Sequence, residues 1–467
     1  MNQAGTKTPL IGQNKKQLHL SRVIRIILFF FLVSIEFSIN ISSGLFASAS
    51  KIIKGSLNMN DKDFGFFGMC YGIGRVLGSL FFMLASDKFN RKYIIISFLV
   101  MKSIFLIAFK VVSGGYILIL IRSLIGFTHM PPSIFVPVWI DQFGLKKYKT
   151  LQLTLLTVLI PAGKVTGYFT HVIFEDENWR MGFFIEGVYL FIVAVIIFIT
   201  PYQYLSKDVI AIKDEDARES LFAINQINYT EKSKNEQKGK LSIDYCSLLK
   251  NKVYVVSVVT RALLNGVLTA FHYWISDYMR SKFNINNNTT ILYSYSLIAV
   301  AGPLGGVLLN SIIVSIFGGY TSKNSMRILF CLHLCTCSCG LSIAFMNNIY
   351  AFCAISMLFL SFACAEGPFI QGTIISSVSP SIKGAAYSIA NLFHMSVTSG
   401  TTPLLYGYVN QNYKHLFVGA AMLALMSLDV IAIVSITILS VIVNKRNNES
   451  KGNDQEKNAE LKEVEEK

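Results

Sequence analysis

The chain has 467 residues, 52% of them hydrophobic and 15% charged, with a net charge of +15 and a mean hydropathy of +0.50. Soluble domains carry roughly 25% charged residues, so the polar residues here cannot cover a water-facing surface of this size, and a soluble globular fold is excluded. Lys and Arg sit in short clusters between apolar segments, with no helix-turn-helix, zinc-finger or ribonucleoprotein motif, which excludes a nucleic-acid partner and points to the lipid bilayer.

A spanning helix takes about 20 apolar residues. Residues 1–21 are polar and basic and read as an N-terminal tail, because the apolar run that follows is too long for a cleavable signal. Spans are predicted at 22–47, 64–86, 92–113, 115–140, 149–173 and 181–200, so 22–200 forms a six-helix half. A charged linker covers 201–251. A second half, 252–443, holds spans at 253–280, 290–317, 326–346, 349–377, 384–410 and 415–443. Residues 444–467 are charged, low in complexity, and read as a disordered tail.

The basic residues fall on one side: Lys15, Lys16, Arg22 and Arg25; Lys88, Arg91 and Lys92; Lys146, Lys147 and Lys149; the linker; Lys383; Lys445 and Arg446. That side is expected to be cytoplasmic, with both termini. Lys51, Lys54 and Lys62 run against the trend. Asn287 and Asn288 open Asn-x-Thr sequons on the opposite side, whereas the sequons at Asn228 and Asn448 fall on the cytoplasmic side. Most of the eight cysteines lie in apolar runs. Cys331 and Cys335 share a helix face, but no His or carboxylate at ligand spacing joins them, so no metal is expected.

The loop after the second span reads Asp87-Lys88-Phe89-Asn90-Arg91-Lys92. A carboxylate followed by three cations holds neighbouring helix ends together, the acid facing a helix N-terminus. Asn90 tolerates the left-handed backbone that such a turn often needs. The fourth span carries Arg122 and Gly126. The fifth carries Pro161, Gly163 and Gly167, with small residues spaced for close helix approach. The eleventh carries Pro403 and Gly407.

The 83–92 stretch resembles the signature loop of the major facilitator superfamily, Gly-x-Leu-Ala-Asp-Arg-x-Gly-Arg-Lys, with Met83, Ser86 and Asn90 in place of its Gly, Ala and Gly. The Phe89 to Tyr93 form, the Ile160-Pro161-Ala-Gly163-Lys-Val-Thr-Gly167-Tyr168 run, and Asn251 to Tyr254 with Phe271 and Trp274 are similar to the Spinster family of sphingolipid and lysophospholipid transporters. The resemblance implies an all-α membrane fold of twelve helices in two six-helix halves, with Asp87, Lys88, Arg91 and Lys92 as a cytoplasmic gate. Where Spinster proteins carry an Asp-Arg pair in the first helix, a fourth-helix Glu and an eleventh-helix Asp, this chain has Ser38 with Ile39, His129 and Ser399.

An ionisable group at mid-membrane costs roughly 3 kcal/mol or more, so it faces a cavity or a partner. Glu36, Arg122, His129, His272, Trp274, Asp277, Glu366 and His394 are candidates for a substrate or proton pathway. By the resemblance, helices one, four, seven and ten line the central cavity, which selects Glu36, His129, His272 and Glu366. Lys164 and Arg75 read as structural. No phosphate-binding Gly-x-x-x-x-Gly-Lys-Ser/Thr loop is present, so transport is expected to run on gradients, without a cofactor beyond a coupling H+ or Na+. The reading is a monomeric, multi-pass transporter, not an enzyme, working by alternating access. Its substrate is a small organic solute or an amphipathic lipid of the Spinster type. The alternatives are an organic-anion, sugar or amino-acid transporter, or a non-transporting receptor of the same fold.

Overall fold

The computed structural model describes residues 22–86, 89–145, 148–174, 178–205, 245–317, 324–378 and 383–465. The N-terminal tail, Asp87, Lys88 and linker residues 206–244 therefore lie outside the described residues.

The first half runs α1 (Arg22–Ser48), a short α2 (Ser50–Ser56), α3 (Asp61–Ala85), α4 (Arg91–Val111), α5 (Gly115–Phe143), α6 (Lys149–Phe174) and α7 (Met181–Ile199). The second runs α8 (Tyr245–Lys250), α9 (Lys252–Phe283), α10 (Asn288–Phe317), α11 (Ser325–Ile343), α12 (Ile349–Ser376), α13 (Lys383–Gly400), α14 (Thr402–Tyr413) and α15 (Ala420–Glu465). Among the described residues, ten helices are long and apolar enough to cross a membrane. The remaining two crossings are α6, apolar over Val158–Phe174, and the α13–α14 pair, which breaks at Thr401 just before Pro403. Proline cannot donate to the preceding turn, so a break there follows. The result is a twelve-helix bundle in two six-helix halves. Phe30, Leu84, Ile117, Phe198, Ile316 and Ile431 stay exposed on its outside, as side chains solvated by lipid do.

Asparagine sets several helix starts. Asn60 and Asp63 form a capping box at α3, Asn251 accepts from Tyr254 N at α9, and Asn348 accepts from Tyr350 N at α12. Asn90 does the same at α4, accepting from Lys92 N at 3.0 Å with φ −65°. It is an extended N-cap, which corrects the left-handed turn expected there. The side-chain oxygen satisfies an amide that the first helical turn leaves orphaned. The left-handed asparagines are Asn58 and Asn284 instead.

Cations close the opposite helix ends, where the backbone presents unpaired carbonyls and negative dipole. Arg25 donates to Phe143 O at 2.8 Å and Gly144 O at 2.9 Å. Lys92 donates to Phe198 O at 2.8 Å and Thr200 O at 2.6 Å. Arg180 donates to Val112 O at 2.6 Å.

Within the first half, α1 packs on α6 through Gly163 and Gly167, where a Cβ would strike the carbonyls of Phe37 and Ile41. Gly126 likewise lets α5 press on the backbone of Tyr71 in α3. One boundary differs from the sequence expectation. The structure carries α15 on to Glu465, through the charged stretch read as disordered. The Lys, Glu, Gln and Ala residues there are strong helix formers, which a reading by polarity alone undervalues.

Candidate functional site

We call the end holding the start of α1 the terminal end, and the opposite one the far end. Between the halves lies a cavity of about 230 Å³. Its basic groups are Arg75 on α3, Arg122 and His129 on α5, Lys164 on α6, His272 on α9 and His394 on α13. Tyr71, Tyr273, Tyr295, Asn40 and Asn265 add hydroxyls and amides, and no carboxylate is among the lining residues.

Arg122 is the centre of this set. It is 2% exposed, and its guanidinium lies between two rings, 4.1 Å from the Phe46 centroid and 4.2 Å from that of Tyr71. Its Nε and Nη1 have no hydrogen-bond partner. The stacking between the two rings holds the charge in place. Tyr71 Oη continues the network to His129 Nδ1 at 2.9 Å. Glu36 sits behind this wall rather than on it. Its Oε1 accepts from Ser133 at 3.2 Å, and its Oε2 has no partner.

The far end is closed. Lys54 Nζ bridges Asp61 Oδ1 at 2.7 Å and Asp277 Oδ1 at 2.5 Å, which joins the two halves. Asn410 donates to Asp61 Oδ2 at 2.8 Å, and Tyr273 Oη donates to Phe64 O at 2.7 Å. The Tyr168 and Tyr295 rings stack at 3.9 Å across α6 and α10. Trp274 Nε1 donates to Pro403 O at 3.0 Å, and Gly407 lies against the Asp61 carbonyl. Trp274 and Asp277, expected in the substrate or proton pathway, thus belong to this closure, as do Pro403 and Gly407. Lys54, one of the three cations that broke the charge trend, is there because it neutralises two acids.

Toward the terminal end lies a second cavity of about 230 Å³. It is mainly apolar, walled by Phe82, Met83, Ile134, Phe135 and Val138 of the first half and Leu392 of the second. Met395 lines both cavities. Arg91 lines the second one, with its Nε buried and unpartnered. Of the four expected gate residues, Arg91 thus reaches this space, Lys92 caps α7, and Asp87 and Lys88 are outside the described residues.

Glu366 does not line the central cavity. It is fully buried on α12 against His333 of α11, whose Nδ1 is 3.2 Å from Glu366 Oε2. Two groups read as structural, Arg75 and Lys164, do line it. A second cluster was not foreseen: Lys102 and Glu186, both fully buried, pair at 3.6 Å within the first half, with Ser42 donating to Glu186. Each is one polar residue in a long apolar run, and that isolation was the available signal.

Residues 28–403 match the Major Facilitator Superfamily. The chain is 23% identical over 382 residues to the Arabidopsis thaliana protein named "Probable sphingolipid transporter spinster homolog 1", covering 79% of this chain and 76% of that one. A bacterial homolog of the human lysosomal transporter Spinster, in an inward-facing and occupied conformation, superposes with TM-score 0.68 at 13% identity, over 90% of this chain and 98% of the other. The xylose transporter XylE from E. coli superposes with TM-score 0.67 at 12% identity, over 88% and 95%.

Proposed function

Because the chain belongs to the major facilitator superfamily, whose members are transporters rather than enzymes, we propose that it moves an anionic amphipathic solute across the membrane, such as a lysophospholipid or a sphingoid phosphate. One observation carries this reading. A cavity with Arg122, Arg75 and Lys164 and no carboxylate on its wall meets an apolar cavity at Met395. Cations suit a phosphate or carboxylate head, with charge-assisted hydrogen bonds from the free Arg122 N–H groups. The apolar chamber suits a hydrocarbon tail, at about 25 cal/mol per Å² of buried apolar surface. The relative from Arabidopsis thaliana, by its name, points to the same class of lipid.

The terminal end carries the basic clusters and is taken as cytoplasmic, so the closed far end makes this the inward-facing state. Alternating access follows from rocking the halves about the Lys54 closure. The carrier acts as a monomer, either facilitative or driven by a gradient of H+ or Na+. An organic anion without a tail is the second reading, favoured by the same cations. Sugar or amino-acid transport finds less support, because the cations and histidines of the wall outnumber the two acids behind it, Glu36 beside Arg75 and Glu186 beside Arg122.

The test is flux in proteoliposomes, comparing lysophospholipids and sphingoid phosphates with sugars, amino acids and short organic anions. Lipid flux abolished by Arg122→Gln supports the proposal. Flux of short anions alone selects the second reading, and flux of a neutral sugar alone overturns both. No flux of any solute by a folded, correctly inserted chain points to a non-transporting receptor.

A further inference from the structure

The second half contains a buried acid–base cluster that the solute cavity does not use. His333 on α11 is fully buried, and its Nε2 lies 2.8 Å from the Asp429 carbonyl oxygen on α15. A carbonyl only accepts, so this nitrogen carries a hydrogen. Nδ1 faces Glu366 Oε2 at 3.2 Å. With no further proton, a lone pair would face a carboxylate. With two, a ring N–H and a carboxyl O–H would meet head to head. The contact is satisfied by one proton held between ring and carboxyl. Thr336 closes the other Glu366 oxygen through its hydroxyl.

The position of this pair makes the proton consequential. Glu366 directly precedes Gly367 and Pro368 within α12. Pro368 cannot donate to the Cys364 carbonyl, so the helix is weakened one residue beyond Gly367. The space about Gly367 is open, with no heavy atom within 4 Å of a Cβ built there. The Glu366–His333 contact therefore ties α12 to α11 at the point where α12 bends most readily. Asp429 is 1% exposed, and its Oδ2 has no partner, which leaves a second acceptor beside the pair.

The groups around Glu366 are few. From α11 come His333 and Cys337, from α15 Asp429, and from α12 itself Cys364, on which Lys164 of α6, a lining cation of the solute cavity, also acts. The α10 helix carries no charged residue. Arg261 of α9 and His394 of α13 act on each other. His333, Glu366 and Asp429 act directly on one another, whereas Lys164 meets the cluster only at Cys364.

We propose that His333, Glu366 and Asp429 form a proton-binding site within the second half, separate from the solute cavity, whose bound proton ties α12 to α11 at the Gly367–Pro368 break. Losing the proton sets a lone pair against a carboxylate and opens the tie. The site stands whatever the solute is.

The proton itself is the probe. Infrared difference spectra of the full chain in liposomes, stepped from about pH 8 to about pH 5 across the histidine range, read carboxyl protonation directly. The expected result is a carboxyl signal that titrates in the wild type and disappears in Glu366→Gln. In His333→Gln, whose amide still donates to the Asp429 carbonyl, the midpoint moves. Identical titrations in the wild type and a folded Glu366→Gln overturn the proposal. If Glu366→Gln does not fold, His333→Gln decides alone: an unmoved midpoint overturns the site, since a merely structural hydrogen bond has no proton to shift.

Discussion

Lys54 Nζ stands 2.5 Å from Asp277 Oδ1 and joins the two halves across the far end of the molecule. The side chains are 17% and 7% exposed, so removing one partner strands charge in a poorly solvated place. Lys54→Met leaves Asp61 and Asp277 facing each other. The expected loss is about 1.5–3 kcal/mol, that of a charged hydrogen bond and below the cost of breaking a fully buried pair, because some solvent reaches this one. That shifts the closed-to-open ratio by about 10- to 100-fold. Labelling of Thr269→Cys by an impermeant thiol reagent from the far side should rise accordingly, and unchanged labelling would show that Lys54 does not hold the closure.

The same residue sets a pH expectation. Burial alone would lower the Lys54 ammonium, but Asp277 and Asp61 outweigh it and hold its pKa above the ordinary lysine value. A raised folded-state pKa means the contribution is fully present below the ordinary value of about 10.4 and is lost only as pH rises through the raised one. Far-end closure should therefore be constant from about pH 6 to about pH 9. A steep change in thiol labelling within that window contradicts the assignment.

Arg122 separates function from stability. Its charge is buried, and two of its nitrogens have no partner. Arg122→Gln should weaken binding of a lysophospholipid phosphate about 10- to 100-fold, for a charged hydrogen bond of about 1.5–3 kcal/mol. Melting temperature should not fall, because an unpaired buried charge is relieved. Arg122→Lys should bind almost as poorly, since a point charge does not replace a plane stacked between Phe46 and Tyr71. Calorimetric titration together with detergent melting curves checks both halves of the claim.

Much of this was legible in the sequence, for identifiable reasons. Apolar run length marks a spanning helix whatever it packs against, so the crossings could be placed to within a few residues. Arg122 and His129 share a helix face by spacing, and both reach the cavity. Periodicity does not say what a face meets. Lys164 and Arg75 were for that reason read as structural, and Glu366 was assigned to a cavity it does not touch. Its partner His333 lies 33 residues away, and the carbonyl that orients His333 is 96 residues from that histidine. Contacts of that kind are set by helix packing, which composition does not encode. The inward turn of Lys54 was hidden similarly, since a charge count treats every lysine as solvated.

Close helix approach gives a prediction about stability alone. A Cβ on Gly167 would meet the Ile41 carbonyl and the Leu45 amide, both backbone. Neither is the end of a flexible side chain, so α1 and α6 must separate. Gly167→Ala should destabilise by about 1–3 kcal/mol. Gly115→Ala, which has open space around it, should be neutral. Equal melting temperatures for the two variants would show that the α1–α6 contact yields more easily than the geometry implies.

Lys92 and Arg91 are adjacent cations in the signature loop, and their surroundings assign them different work. Lys92 is 6% exposed, and its Nζ closes the carbonyls of Phe198 and Thr200 at the end of α7. Lys92→Met leaves those acceptors unpaired, at a cost of about 1–3 kcal/mol, so melting temperature should fall by several degrees. Arg91 instead lines the apolar cavity, with its Nε unpartnered. Arg91→Met should leave the melting temperature in place and, on the proposed lipid reading, lower the flux of a phosphate-bearing lipid. If both variants instead lost flux with no change in melting, the pair would act together as a gate, and the α7 cap would be incidental to the fold.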